Sequence, residues 1–289
     1  MRPSPRLPAL LVLAAASLAA GCITDVDADL DADDGASVDA SAPGADISLH
    51  TGLGLPSPAS KRDSDDFLSV KAEYALSYNA SRKVPNWVSW HLDAADLGTQ
   101  DRQNDFRRDD TLPARLAQAT LADYRGSGFD RGHMCPSGDR TASEDANSET
   151  FLLSNMVPQA GNNNRGPWED LESYSRDLVE GGQQLFIVAG PVFRGRDEAI
   201  GRGVAVPDQT FKVIVVLDAA DGDGPADVTR ATRVIGVMIP NDDAKVAQSD
   251  DWEQFRVPVR TIEDATGLDF LSEVDPRVQD AVERRADAR

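Results

Sequence analysis

The 289-residue sequence is poor in the residues that usually announce cross-links or chemistry: it has two cysteines, three histidines and only 6% aromatic residues. Two cysteines exclude a disulfide framework, so the fold must rest on packing, for which 40% apolar residues suffice. Basic residues are also scarce, 29 against 49 acidic ones, for a net charge of −20. That balance excludes a protein that coats nucleic acid through a broadly basic surface, but not one that grips a single phosphate locally. After the N-terminus there is no run of about 18 apolar residues, so no helix of the body is expected to span a bilayer. No Gly-rich phosphate loop of the dinucleotide or Walker type opens a helix, which argues against those nucleotide-binding classes.

What is present begins with Arg2 and Arg6 ahead of "LPALLVLAAASLAAGC". A basic start, a short apolar core and small residues before Cys22 read as a secretory signal over residues 1–22. The ending "LAAGC" resembles a bacterial lipobox, which implies a lipidated Cys22 and an exported chain, either anchored in the bacterial envelope or secreted. Cys135 would then be the one remaining thiol. Residues 23–46 repeat aspartate among Ala, Ser, Gly and Pro with no basic residue, and cannot bury enough apolar surface to fold. They read as a solvated acidic tether; the glycine and glutamate that a calcium-binding EF-hand loop needs are missing.

From about Ile47 the composition becomes that of one domain, 47–275, followed by a polar helix or tail over 276–289 that is expected to fray. "EYALSYN" and "NWVSWHL" alternate with period two, as half-buried strands do. "QQLFIVAGPVF", "FKVIVVLD" and "TRVIGVMIP" are near-continuous apolar runs, as in more deeply buried strands. Pro167 at a first helical position, Trp168, Leu171 and Leu178 at helical spacing, and Gly181–Gly182 at the end predict a helix over 167–180. Strands and helices mix without regular βαβ alternation, so the fold class is α+β, or mixed α/β.

Among His50, His91 and His133, the first two sit in settings that favour structural roles. His133 lies in "FDRGHMCPSGDR", where a strand should end in a loop, and loops at strand ends carry function more often than strand interiors. The residues alone leave His133 open between a general base and a salt-bridged structural histidine. Downstream, "FLLSNMVPQAGNNNRGPWEDLESYSR" gathers amide and carboxylate oxygens around one helix start, the hard ligands that magnesium prefers.

"DFRRDD", "DYRGSGFDRGHMCPSGDR", "SNMVPQ", "NNNRGPWEDLESYSR" and "VPDQTFKVIV" together resemble, in order and spacing, the DNA/RNA non-specific endonuclease family, of the endonuclease G and sugar-non-specific nuclease type. The resemblance implies the ββα-metal fold, with a mostly antiparallel sheet flanked by helices. It also implies hydrolysis of phosphodiester bonds in DNA and RNA to 5′-phosphate ends. Carried over, it makes His133 the general base. Asn164, four positions before Trp168, becomes the direct magnesium ligand, and Glu172 a second holder through water. Manganese is the expected substitute ion. If one helix ran through both, Glu172 would lie about 80° around it from Asn164. Arg131 and Arg107, with Arg108 as the neighbouring choice, would stabilise the phosphate. Gly132 would let the backbone approach, and Asp130 would orient the loop or Arg131. Asn155 is either a backbone-bonding amide or a substrate contact.

The expected partners are DNA and RNA, with a membrane met only through the lipid; a homodimer is left open. Cys135 resembles a trait of some bacterial members. A Cys135–His133 nucleophilic pair is the alternative to a small buried hydrophobe. The competing functional class is a non-catalytic lipoprotein of the same fold that binds nucleic acid or an envelope partner.

Overall fold

The computed structural model describes residues 48–195, 197–220 and 222–289; the signal, Cys22 and the acidic tether lie outside them. Among the described residues, ten strands and six α-helices follow in order. They are β1 (Phe67–Val70), β2 (Ala75–Asn79), β3 (Val84–Leu92), α1 (Leu121–Tyr124), β4 (Asp130–His133), α2 (Glu144–Glu149), β5 (Met156–Gln159), α3 (Gly161–Asn164), α4 (Pro167–Glu180), β6 (Gln183–Val192), β7 (Ala199–Ile200), β8 (Val204–Ala205), β9 (Gln209–Asp218), β10 (Arg233–Pro240), α5 (Val259–Thr266) and α6 (Pro276–Glu283). The expected mixed α/β architecture is the one observed. Among the described residues, no helix is long and apolar enough to cross a membrane.

One six-stranded sheet, ordered β1-β2-β3-β6-β9-β10, has antiparallel neighbours throughout. One face carries Leu76, Trp90, Ile187, Ile214 and Ile235, packed against Trp168 and Leu171 of α4 and against Met156 and Val157 of β5. The other carries Trp87, Phe186, Phe211 and Val213, packed against Val259 and Ile262 of α5 and Val282 of α6. Covering both faces explains why β6, β9 and β10 read as continuous apolar runs.

It also corrects the reading of β2 and β3 as half-buried. Their polar positions are buried too and hold partners: Ser77 on Asp66, Asn79 on Asn86, Ser89 on the His50 carbonyl, His91 on Gln184. Alternation in these strands marks two different cores, one of them spiked with hydrogen bonds. At the C-terminus, expected as a polar helix or tail, Val282 and Glu283 of α6 are buried and Asp287 pairs with Arg233 and Arg256.

The site is positioned by a small hairpin and a helix on the first face. β4 and β5 pair antiparallel, Asp130 opposite Gln159 and His133 opposite Met156. The helix α4 spans Pro167–Glu180, as its start and stop signals predict, with Glu169 and Asp170 in the first turn complementing the helix dipole. It does not extend back to Asn164, because the chain breaks at Gly166, whose backbone (φ −128°, ψ −116°) is non-helical. A side chain there would come within 2.4 Å of the Gln248 carbonyl oxygen. The helical-wheel relation between Asn164 and Glu172 therefore fails; the two stand on separate helices, α3 and α4.

Leu171 of α4 is fully buried in the core against the sheet. Leu171→Ala should lower unfolding stability in urea by about 2–5 kcal/mol, and a loss below about 1 kcal/mol would mean that α4 is not packed as described.

Candidate active site

β4 delivers four consecutive residues of alternating direction and different roles. His133 ends the strand with 7% of its surface exposed. Its ring stands edge-on to Phe151, 5.0 Å between centroids, and tilted against Phe106 at 5.5 Å. Burial between these rings, with the charges of Arg102 and Arg131 adding to it, pushes the imidazole pKa down to about 3. The ring is therefore a neutral base at physiological pH. Its Nε2 is buried without a hydrogen-bond partner, an unusual state that suits an atom waiting for a proton. The His133 carbonyl accepts from the Trp168 indole at 3.3 Å, tying strand to helix.

Gly132 is required by contact. A Cβ there would stand 2.0 Å from the Oε1 of Gln159, whose side chain is fully buried with both amide atoms unbonded. Arg131 is exposed, its guanidinium 4.0 Å from the centroid of Phe106. Asp130 does not turn toward Arg131. It accepts from Arg165 and, at 3.0 Å, from the Nδ2 of Asn164. Because the amide nitrogen of Asn164 is spent on a carboxylate, its carbonyl oxygen is the end directed elsewhere, the hard donor that a magnesium site needs.

Glu172 lies on α4 with its side chain 12% exposed and Oε1 3.3 Å from the Lys212 ammonium. Burial raises its pKa, and the Lys212 charge opposes that shift. Arg102 and Glu172 feel each other's charge, and Arg102 also acts on His133. The imidazole, the two arginines and the carboxylate thus share one neighbourhood, with Asn164 joined to it through Asp130 on β4.

Residues 54–277 match the family model described as "DNA/RNA non-specific endonuclease". The chain belongs to that family. It is 46% identical over 243 residues to a nuclease of Nostoc sp., covering 83% of this chain and 87% of that one. To human mitochondrial endonuclease G it is 38% identical over 220 residues, covering 72% and 70%. The solved EndoG/EndoGI complex superposes with a TM-score of 0.66 at 27% identity, covering 81% of this chain and 95% of that chain. The β4–β5 hairpin followed by α4 is the ββα element of this family's fold.

Within that frame, other expectations change place. Arg107 turns away, its guanidinium bonded to Asp105 and to the Ser148 carbonyl. It lines a cleft with Arg108, Asp109 and Glu149. The arginine beside His133 is Arg102, its Cζ 4.9 Å from the Phe151 centroid and its donors held by Ser137 and Asn104. No local motif flags Arg102. What separates the two arginines is their partners: Arg102 lies over Phe151, the ring that stands edge-on to His133, whereas Arg107 is held by Asp105 and Ser148.

Asn155 is fully buried and hydrogen-bonded through both amide atoms. It accepts from the Cys135 N–H and donates to the carbonyls of Cys135 and Thr150. Its amide therefore clamps the chain beyond β4 and has nothing left for substrate. Cys135 is wholly buried in the apolar core, and burial raises its thiol pKa well above the ordinary range, opposite to what a nucleophile needs. His91 and His50 are structural: His91 bonds Gln184, and His50 lies between the Ala72 carbonyl and the His91 N–H.

An unfolded histidine titrates near pH 6.5, and folded His133 near 3. As pH falls the unfolded chain binds that proton first, so this group's effect on stability is absent above about pH 6.5 and increasingly unfavourable below it. Ring nitrogen shifts of labelled His133 should stay those of neutral imidazole from about pH 8 to 5. A midpoint near 6.5 would show the ring to be hydrated.

Proposed function

We propose that the protein hydrolyses phosphodiester bonds in DNA and RNA without sequence preference, leaving 5′-phosphate ends, with His133 as the general base. The observation that carries this reading is the Nε2 of His133, buried, without a partner and on a ring held neutral. It takes the proton of a water that attacks phosphorus in line with the departing 3′ oxygen. Arg131 and Arg102 flank the ring through Phe106 and Phe151. Their planar forks of donors suit the equatorial phosphate oxygens of the crowded transition state.

Asn164 and Glu172 are the residues that would hold a magnesium ion, and their donor set fits one. Asn164 offers a neutral carbonyl oxygen oriented by Asp130, and Glu172 a carboxylate at the edge of the core. When bound, the ion supplies neutralisation of the charge that develops on the phosphate and the leaving oxygen. Asp130, already engaged by Arg165 and Asn164, orients the ligand. Contacts of these kinds reach phosphate and sugar and read no base edges, which supports the lack of sequence preference. Export with lipidation at Cys22, to the bacterial envelope or beyond it, belongs to the same reading and rests on the signal-like residues 1–22.

The purified chain should nick supercoiled plasmid and degrade RNA with magnesium and stop with EDTA. Intact nucleic acid under both conditions would favour a non-catalytic binder. His133→Ala should lower the rate by at least about 10²-fold with the fold retained. Arg102→Ala should cost more than Arg107→Ala; the reverse order would return the phosphate contact to Arg107.

A further inference from the structure

We infer that Lys212 is a positioning residue of the hydrolytic site, fixing the carboxylate of Glu172 from beneath; this rests on the reading of Glu172 as a holder of the hydrated cation. Lys212 lies in the middle of β9, in register with Ala189 of β6 and Val237 of β10. Its neighbours Phe211 and Val213 enter the core on the far face of the sheet. Lys212 points the other way, toward α4, and is 1% exposed.

A lysine here is costly. Its ammonium leaves water in a strand that is otherwise apolar, and a methionine would fill the same space without that penalty. What it finds is specific. Nζ stands 3.3 Å from Glu172 Oε1 and 4.2 Å from the centroid of the Trp168 ring, with Trp90 at 5.8 Å. The same Trp168 indole donates to the carbonyl of His133. One buried cation therefore sits beneath the strand end that carries the base and holds the acid that faces the ion. By engaging Oε1 it restrains the orientation of the Glu172 carboxylate. At 1% exposure Lys212 cannot touch nucleic acid, so its contribution has to pass through Glu172 and Trp168.

A lysine that merely stabilised the fold would change thermal stability and nothing else. A positioning lysine changes how the site takes its ion, and only while Glu172 is present. The test uses the full chain as wild type, Lys212→Met, Glu172→Gln and the double variant. Each is checked by circular dichroism and melting, then assayed for plasmid cleavage and for direct Mn2+ binding by electron paramagnetic resonance. Wild-type cleavage tests the nuclease reading by itself.

If the inference holds, folded Lys212→Met binds Mn2+ about tenfold more weakly and needs correspondingly more for half-maximal cleavage. Added to Glu172→Gln, it causes no further loss. Unchanged Mn2+ dependence in folded Lys212→Met, or losses that multiply in the double variant, would overturn it while leaving the nuclease reading intact. Should Lys212→Met fail to fold, Lys212→Gln, which keeps a donor and loses the charge, is judged by the same criteria.

Discussion

The site depends on the burial of one imidazole. A histidine in solution is partly charged near neutrality, and a charged imidazole cannot accept a proton. Here the ring of His133 is closed in by Phe106 and Phe151 and overlooked by two guanidinium groups, so the charged form is disfavoured twice, by burial and by like charge. The surrounding elements hold that ring in place. Asn155 locks the chain just beyond β4 through Cys135, Gly132 permits the close approach of Gln159, and Trp168 ties the strand end to α4. The charges of Arg102 and Arg131 thereby act on the imidazole itself.

The second constraint is the balance of local against total charge. A chain of net charge −20 would repel a polyanion if its charge were evenly spread. Eight aspartates fall in residues 23–46, ahead of the domain. Several acids of the body are already engaged by cations, as in Asp130 with Arg165, Asp139 with Arg176 and Glu172 with Lys212. The two guanidinium groups that act on His133, those of Arg102 and Arg131, are both exposed. Attraction of this local kind is screened by salt, so the economy of basic residues makes the site sensitive to ionic strength.

Much of this was legible from residue order alone. The runs of β6, β9 and β10, the limits of α4 and the placing of His133 at a strand end all follow from periodicity and from proline and glycine. The site's ordered motifs were readable because their residues are close in sequence. What could not be read came from contacts across the chain. β2 and β3 looked half-exposed because a buried serine or asparagine paired across the fold has the same one-letter pattern as a wet one. Asn155 could not be assigned without seeing that Cys135 and Thr150 use up its amide. Arg107 matched the motif, yet it is Arg102 whose charge acts on His133, because Arg102 lies over Phe151 while Asp105 and Ser148 hold Arg107. Lys212 was hidden inside an apolar run, where one charged letter looks like an interruption and is in fact the partner of Glu172.

The central claim is that the imidazole of His133 and the carbonyl oxygen of Asn164 address one phosphate, with a divalent cation at the second of them. Crystals of the His133→Ala chain soaked with a short DNA duplex and manganese would test it most directly. The account predicts an anomalous peak about 2.1–2.2 Å from Asn164 Oδ1, touching a phosphate whose opposite side faces the emptied position 133. Manganese bound away from Asn164, or a phosphate that cannot reach both positions, would contradict it.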